Sequence, residues 1–455
     1  MKKKFRLIDA ILSVICVVFV AEAAAPVAAI GNSQFFWWIL LMITFLLPYG
    51  LISSEFGSTY QGDGGLYDWV AKAYGKRWGG RVAWYYWINF PLWMASLAVM
   101  IPEILSIVTG TEFGMMSSVI MELFFVWGIV LISFFPVCNS GWILNGCAAV
   151  KVFLALLIGV LGVYVAATQG VANEYTVASL LPSFDLDSLS YISVIIFNFL
   201  GFEVICSFAD SMEKPQKQIP QAIIAGGLVI MLIYIFSAFG IGVAIPTNEI
   251  STSTGLLDAF VLLTGSNHGV FLSIMAFLFM ITLVGNMVSW SYGVNDVAFY
   301  AANNGDLPKV FQKKSQKNEM PVGSAVMNGI VASVVIIIAP FIPNQDLFWC
   351  FFALNLVMFL LSYLPMFPAF LKLRKTEPDT VRPFRVPGGK LLLHVIAYAP
   401  MLMIVIALIF VAVPLSFDSE TLESVLPITI GAVICIGIGE VIVRCKRDTS
   451  EKRSS

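Results

Sequence analysis

Stretches of about twenty apolar residues recur along the whole chain, and this repetition constrains the fold more than any other feature. A helix of about 20 residues spans the hydrocarbon core of a bilayer. Apolar residues make up 59% of the 455 residues and charged residues only 12%, so we predict an all-α integral membrane protein. Twelve spans are expected, at residues 7–29, 35–56, 82–108, 116–137, 144–167, 189–211, 221–245, 270–302, 323–342, 347–371, 391–414 and 423–444.

The basic residues predict how these spans are oriented. All but one of the 26 Lys and Arg lie at the two termini and in alternate loops, and the intervening loops hold none. By the positive-inside rule both termini are cytoplasmic, which requires an even number of spans in the cell membrane. The exception is Lys151, which lies inside span five.

The rest of the composition excludes several classes of protein. The net charge of −2 and the absence of a long basic patch give no reason to expect a nucleic-acid partner. The seven cysteines and two histidines are scattered without metal-ligand spacing, so no metal and no cofactor are expected. Enzyme motifs such as HExxH and GxSxG are missing, which argues against an enzyme within the membrane.

Span one contradicts its surroundings. The stretch "VVFVAEAAAPVAAIG", residues 17–31, places Glu22 and Pro26 within an apolar run. A charge at mid-membrane depth costs about 3 kcal/mol on insertion scales, so such residues usually serve a function. Span six, "SYISVIIFNFLGFEVICSFADS", repeats the anomaly with Asn198, Gly201 and Glu203.

Spans one and six are five apart, the spacing of a five-plus-five inverted repeat. We therefore interpret residues 1–455 as one membrane domain, with a first repeat at 1–167, a second repeat at 189–371 and two additional spans at 391–444. Interrupted helices at matching positions of two halves indicate the central site of a transporter. The alternative is that Pro26 and Gly201 are ordinary kinks repaired by neighbouring helices.

Four motifs in order resemble the amino acid–polyamine–organocation superfamily over residues 7–444. They are "GDGGLYDWVAKAYGKRWG" after span two, "GFEVICSFADSMEKPQKQIPQAI" in and after span six, "AFYAANNGDLPKVF" after span eight and "FRVPGGK" before span eleven. The resemblance implies a fold with broken helices one and six, like that of LeuT. Within the superfamily the likeness is greatest to the bacterial glutamate/GABA exchangers, with the arginine/agmatine antiporter more distant.

One departure bears on the substrate. The arginine/agmatine type has an unwound Gly-Ser-Gly segment in span one that receives the substrate carboxylate, whereas this chain has "VAEAAAP". The added acid Glu22 favours a substrate without a carboxylate. Contact of Glu22 with substrate is one interpretation, and pairing with Lys151 or a backbone donor is the other.

The resemblance also implies which residues bind substrate. Glu203 matches the span-six glutamate associated with substrate and proton coupling, and Phe197 matches an aromatic gate. Trp290 corresponds to a tryptophan that flanks the substrate, where an aromatic face attracts a cation. The remaining candidates, which could equally be packing residues, are Ala23 in span one, Tyr86, Asn89 and Trp93 in span three, and Asn198 and Gly201 in span six.

Two charged residues refine this expectation. Asp296 aligns with an arginine of the glutamate/GABA type, so an anion replaces a cation and favours a cationic substrate; otherwise it is a carboxylate reaching water. Lys151 matches a span-five lysine that substitutes for a bound sodium ion in sodium-independent members, and a buried lysine can exchange protons. The alternative for Lys151 is a simple salt bridge.

These expectations predict a sodium-independent exchanger of cationic amines, importing agmatine and exporting putrescine or a similar diamine. The runner-up is an amino acid antiporter or an amino acid/proton symporter of tyrosine/tyramine or glutamate/GABA type. A channel would show flux without counter-substrate. The partners expected are a small amine or amino acid and the lipid bilayer, and a homodimer is left open.

Overall fold

The computed structural model describes residues 6–60, 62, 64–136, 141–182, 184, 186–203, 212, 214–265, 269–342 and 346–454. The second half of span six (204–211) lies outside the described residues, as do two of the seven cysteines (Cys138 and Cys206), one of the two histidines (His268) and the lysines at positions 2–4.

The regular elements of the described residues are helices. Their bounds are α1 (Leu7–Val18), α2 (Ala24–Ala28), α3 (Gln34–Leu41), α4 (Leu47–Thr59), α5 (Leu66–Tyr74), α6 (Lys76–Thr109), α7 (Met115–Ile132), α8 (Gly141–Thr168), α9 (Leu186–Phe197), α10 (Pro215–Ala244), α11 (Gly255–Thr264), α12 (Val270–Asn303), α13 (Val322–Ile338), α14 (Leu347–Tyr363), α15 (Met366–Thr376), α16 (Lys390–Ala412) and α17 (Ser419–Ser454).

Within the described residues, ten helices are long and apolar enough to cross a membrane, and a bent pair raises the number to eleven. The multi-span helical architecture predicted from the apolar runs is therefore confirmed. Each of these helices overlaps one of the predicted spans. Helix α9 overlaps the remaining one, at 189–211, of which residues 204–211 are not described.

The first span is broken near its middle. Helix α1 ends at Val18, a short 3₁₀ turn follows at Ala21–Ala23, and α2 continues after a bend of 64°. The break frees the last carbonyl groups of α1, which have no partner within their own helix. Polar side chains from other helices must satisfy them, because lipid cannot.

The sixth span also departs from a straight helix. Helix α9 ends at Phe197, and Gly201 adopts φ +89°, a left-handed conformation that favours glycine. A Cβ atom at this position would lie 2.9 Å from Cη2 of Trp290. Glycine therefore serves twice here, since it allows the turn and lets the Trp290 ring approach the backbone.

Helices α6 and α14 lie at the centre of the molecule. Helix α14 packs along α6, and α12 packs against α6 and α8. Most side chains of α14 are buried, unlike those of α16 and α17. The broken spans one and six therefore face a core built from α6, α8, α12 and α14.

Candidate functional site

Lys151 holds the broken end of α1. Its ammonium group donates to the carbonyl oxygens of Cys16 at 2.9 Å and Phe19 at 2.8 Å, and to Oδ1 of Asn286 at 2.7 Å. Three donors meet three acceptors, so the side chain is fully satisfied although only 2% of it is exposed. A cation at a helix carboxyl terminus is also favoured by the helix dipole.

Glu22 lies on the other side of the same amide. Nδ2 of Asn286 donates to Oε1 and Oε2 of Glu22 at 3.0 and 2.7 Å. Lys151 can only donate, so it determines that Oδ1 of Asn286 faces the ammonium and Nδ2 faces the carboxylate. The pairing expected for Glu22 as the alternative is thus indirect, through Asn286.

Two aromatic side chains complete the attachment of the α1 end. The Trp290 indole N–H donates to the carbonyl oxygen of Val17 at 3.0 Å. The Tyr234 hydroxyl accepts from the Val20 N–H at 3.1 Å and lies within 2.9 Å of both the Val20 carbonyl and Oδ1 of Asn198. Asn198 therefore reaches span one through Tyr234.

Four aromatic rings form a closed ring of contacts, which we call the aromatic box: Trp93, Phe197, Trp290 and Phe359. Neighbouring centroids are 5.5 Å apart for Trp93–Phe197 and Phe197–Phe359, and 5.8 Å apart for Trp93–Trp290 and Trp290–Phe359. All four pairs are edge-to-face. Proteins bind organic cations with groups of aromatic side chains whose ring faces surround the cation.

Glu203 lies beside the box and is held by two hydroxyl groups. Tyr49 from α4 donates to one carboxylate oxygen, and Tyr363 from α14 donates to the other. The Tyr363 ring stacks edge-on against Phe359 at 5.0 Å, and the Tyr86 ring lies 5.9 Å from Phe359. Both oxygens of Glu203 are engaged, so the carboxylate ties spans two, six and ten together.

Unpartnered polar groups also lie near the box. Among the described residues, the Trp93 indole N–H has no hydrogen-bond partner, although the side chain lies close to the Glu22 carboxylate. Asn355 is fully buried, and neither its amide nitrogen nor its amide oxygen has a hydrogen-bond partner within the part of the chain that the structure describes. It precedes Phe359 by one helical turn on α14, so the two share a face. Buried amides are rarely left unsatisfied, and one beside a site is suited to binding a ligand.

The structure does not assemble all the predicted site residues. Ala23 is buried in the 3₁₀ turn beside Glu22, and the Asn89 amide donates to the carbonyl of Tyr86 within its own helix. Asp296 is exposed on α12, whereas its neighbour Asn295 is buried against Ser324 and Asn328. Asp296 is thus not brought into the cluster around Glu22.

Several residues of this cluster are absent from the sequence predictions. They are Asn286, Tyr234, Tyr49, Tyr363, Phe359 and Asn355. A polar amide within an apolar run was the available signal for Asn286 and Asn355, of the same kind that singled out Asn198. The aromatic residues carried no such signal, because the chain has 61 Phe, Trp and Tyr residues spread over its apolar runs, and nothing in the sequence separates those at a site from those that pack.

Many membrane-spanning helices, an interrupted first span and a buried carboxylate at the interruption are typical of a membrane transporter. Comparison with known families agrees, since the amino acid permease model matches residues 5–438. The chain belongs to this family, within the superfamily that the motifs resemble. The members compared below are transporters rather than enzymes.

Three relatives indicate where in the family the chain lies. It is 65% identical to the probable agmatine/putrescine antiporter AguD of Lactococcus lactis subsp. lactis, over 98% of this chain and 96% of that protein. It is 24% identical to a glutamate/gamma-aminobutyrate antiporter of the same organism, over 83% and 78%. It is 23% identical to the putrescine transporter PotE of Haemophilus influenzae, over 67% and 68%.

Proposed function

We propose that this chain is an antiporter for cationic amines, importing agmatine and exporting putrescine. The observation that carries the proposal is the 65% identity, over nearly the full length of both chains, to a probable agmatine/putrescine antiporter. The amino acid antiporter alternative is not favoured, because the glutamate/gamma-aminobutyrate relative is only 24% identical.

The geometry of the site supports a cationic substrate. An organic cation within the aromatic box gains about 0.5–2 kcal/mol from each well-placed ring face. Glu22 lies near the Trp93 edge of the box and supplies a negative charge, and the buried Asn355 supplies an unpaired carbonyl for a second N–H-bearing end group. A flexible diamine with a charge at each end suits such an arrangement.

The roles of the residues follow from these contacts. Trp93, Phe197 and Trp290 enclose the substrate, with Tyr86 behind Phe359, and Ala23, Asn89, Asn198 and Gly201 support the backbone around these side chains. Glu22 pairs with one ammonium group. Glu203 acts through Tyr49 and Tyr363, and a proton or substrate reaches it when these hydroxyls move. Asp296, being exposed, acts on substrates that approach the site.

The architecture we propose is twelve spans, with 1–167 and 189–371 as inverted repeats, 391–444 as two further spans and both termini cytoplasmic. Breaks in span one and near Gly201 in span six support it, as does the distribution of Lys and Arg. Substrate would be exchanged by rocking of helices around the midplane site. A homodimer is compatible with this arrangement and no nucleic acid is involved.

Sodium-independent exchange is part of the proposal. Lys151 places a fixed ammonium group against the carbonyls of Cys16 and Phe19, where a metal cation would otherwise be coordinated. The group is attached to α8, so this charge cannot leave with the substrate.

Counterflow in proteoliposomes tests the function. Vesicles loaded with putrescine should accumulate labelled agmatine, and empty vesicles should not. Accumulation driven by internal glutamate instead of putrescine would contradict the proposal, and equal uptake by empty vesicles would indicate a channel or uniporter.

A further inference from the structure

Asn286 lies between Lys151 and Glu22, two oppositely charged residues that are buried near the broken end of α1. Its Oδ1 accepts from Lys151 at 2.7 Å, and its Nδ2 donates to both oxygens of Glu22 at 3.0 and 2.7 Å. The ion pairs of the described residues do not include a direct Lys151–Glu22 contact. One neutral amide therefore contacts both ions.

Opposite charges in a low-dielectric interior attract strongly, so a lysine and a glutamate this close would ordinarily combine. Direct pairing would neutralise Glu22 and leave it little attraction for a substrate ammonium. The amide prevents this, because it offers each ion the hydrogen-bonding partner that it needs. Asn286 itself is fully buried on α12, which holds the amide in place.

Hydrogen bonds to the backbone also hold Lys151 away from Glu22. Two of its three N–H groups donate to the carbonyl oxygens of Cys16 and Phe19 at the end of α1. The third donor is taken by Asn286. Loss of the Asn286 carbonyl would leave the ammonium with an unused proton, and the Glu22 carboxylate, which is bound to the same amide, is an acceptor on that side.

We propose that Asn286 is a specificity-determining residue that keeps Lys151 from neutralising Glu22, so that the carboxylate stays available to an ammonium group of the substrate. This inference rests on the proposed function for the identity of that substrate. Asn286 is a positioning residue, because it acts through Glu22. It sets the preference for diamines over monoamines.

The first test measures this preference in purified protein. Labelled putrescine is displaced by unlabelled putrescine or by butylamine, which has one ammonium group on the same four-carbon chain. Asn286→Ala should reduce the putrescine-over-butylamine affinity ratio at least about tenfold, because Lys151 then pairs with Glu22. Asn286→Gln keeps the amide and should retain most of the ratio.

Three results would overturn the inference. They are an unchanged ratio in Asn286→Ala, an equal loss in Asn286→Gln, and a folded Asn286→Ala protein that binds neither amine. The last result would show that the amide only maintains the frame of the pocket. Thermal unfolding of each variant verifies that it is folded.

A second measurement separates this inference from the proposed function. The cryo-electron microscopy structure of Asn286→Ala without substrate should show Nζ of Lys151 within ion-pair distance of the Glu22 carboxylate. If wild-type protein shows no preference for diamines, the proposed function fails while this structure still decides the role of Asn286. If Lys151 and Glu22 remain separated in Asn286→Ala, the inference about Asn286 is overturned.

Discussion

The Trp290 indole N–H donates to the carbonyl oxygen of Val17, so one side chain belongs both to the aromatic box and to the broken end of α1. On α12, Trp290 also lies one turn after Asn286, which contacts Lys151 and Glu22. Residues four apart share a helix face. Trp290 therefore connects the aromatic box directly to the broken end of span one.

Trp290→Leu should weaken amine binding by about 1–3 kcal/mol, because it removes a cation–π face and one wall of the box. Trp290→Phe keeps a ring but lacks the N–H for Val17, so it should bind amines nearly normally and exchange them more slowly. Isothermal titration and counterflow measure the two effects. Normal exchange kinetics in Trp290→Leu would show that the ring only packs.

Phe197→Ala should likewise weaken binding by about 1–3 kcal/mol while the protein remains folded. The ring contacts Trp93 and Phe359, so its loss opens the box on one side. Phe277→Ala is the control, because that side chain is 60% exposed on the outer face of α12. Equal effects of the two substitutions would contradict a role of Phe197 in the site.

Agmatine/putrescine exchange should proceed at the same rate in sodium and in choline buffer. Lys151 places an ammonium group that is covalently attached to α8 at the end of α1, so we expect that no metal ion needs to bind there. Initial rates in proteoliposomes with matched osmolarity test this. A strong sodium requirement would overturn the assignment of Lys151 as the sodium surrogate.

How much the sequence could predict differs between the fold and the site. Apolar runs and Lys/Arg placement suffice for helices, because membrane thickness and lipid contact act locally on each segment. The site depends on which polar groups meet: Asn286 lies 135 residues from Lys151 and 264 from Glu22. No local sequence pattern indicates contacts between residues so far apart in the chain. The sequence therefore points to Glu22 but not to its partner Asn286. Asp296 was singled out by alignment with a related type, and the exposure of its side chain depends on how α12 is rotated.

Removing the arginines around Glu55 should destabilise the protein. Glu55 is 2% exposed, pairs with Arg374 and Arg382, and accepts from the Val386 N–H at 2.7 Å. Breaking a buried pair costs about 3–5 kcal/mol, since one charge is left uncompensated. Arg374→Ala should cost less than this because Arg382 remains, and the double substitution should cost the full amount.

Arg444→Ala is the control for these substitutions. Its side chain is 82% exposed and its contact with Glu440 is 3.8 Å long, so the loss should be below about 1 kcal/mol. Thermal unfolding in detergent compares the variants. If Arg374→Ala and Arg444→Ala lower the melting temperature equally, the Glu55 cluster contributes no special stability.

Because of Asp346, the free energy of unfolding should decrease as pH rises. Burial raises the pKa of its carboxyl group, against the opposing effect of hydrogen bonds from Thr252 and the Trp349 N–H. The folded state then holds the proton more tightly than the unfolded state, so stability is greatest below the unfolded pKa of about 3.9 and falls as pH rises through the raised value. Asp346→Asn, which can still cap α14, should remove this part of the slope. If the melting temperature of Asp346→Asn depends on pH as steeply as that of wild-type protein, this prediction is wrong.

Competition against labelled agmatine should rank diamines above all other ligands. Glutamate should be excluded, because like charges about 4 Å apart at an effective dielectric of 20 repel by about 4 kcal/mol. Glu22→Gln, Glu203→Gln and Asp296→Asn should each reduce the advantage of putrescine over tyramine. The largest loss should be in Glu22→Gln, whose carboxylate is buried beside the box, and the smallest in the exposed Asp296→Asn.

Glu423→Gln is the matched control for the three amides, because Glu423 is exposed at the far end of the chain and should leave the ranking unchanged. Exchange of two dications moves no net charge, so collapsing the membrane potential should not alter wild-type rates. If glutamate or a neutral amino acid competes best in wild-type protein, the amine assignment is wrong, since the carboxylates would then not be selecting the substrate.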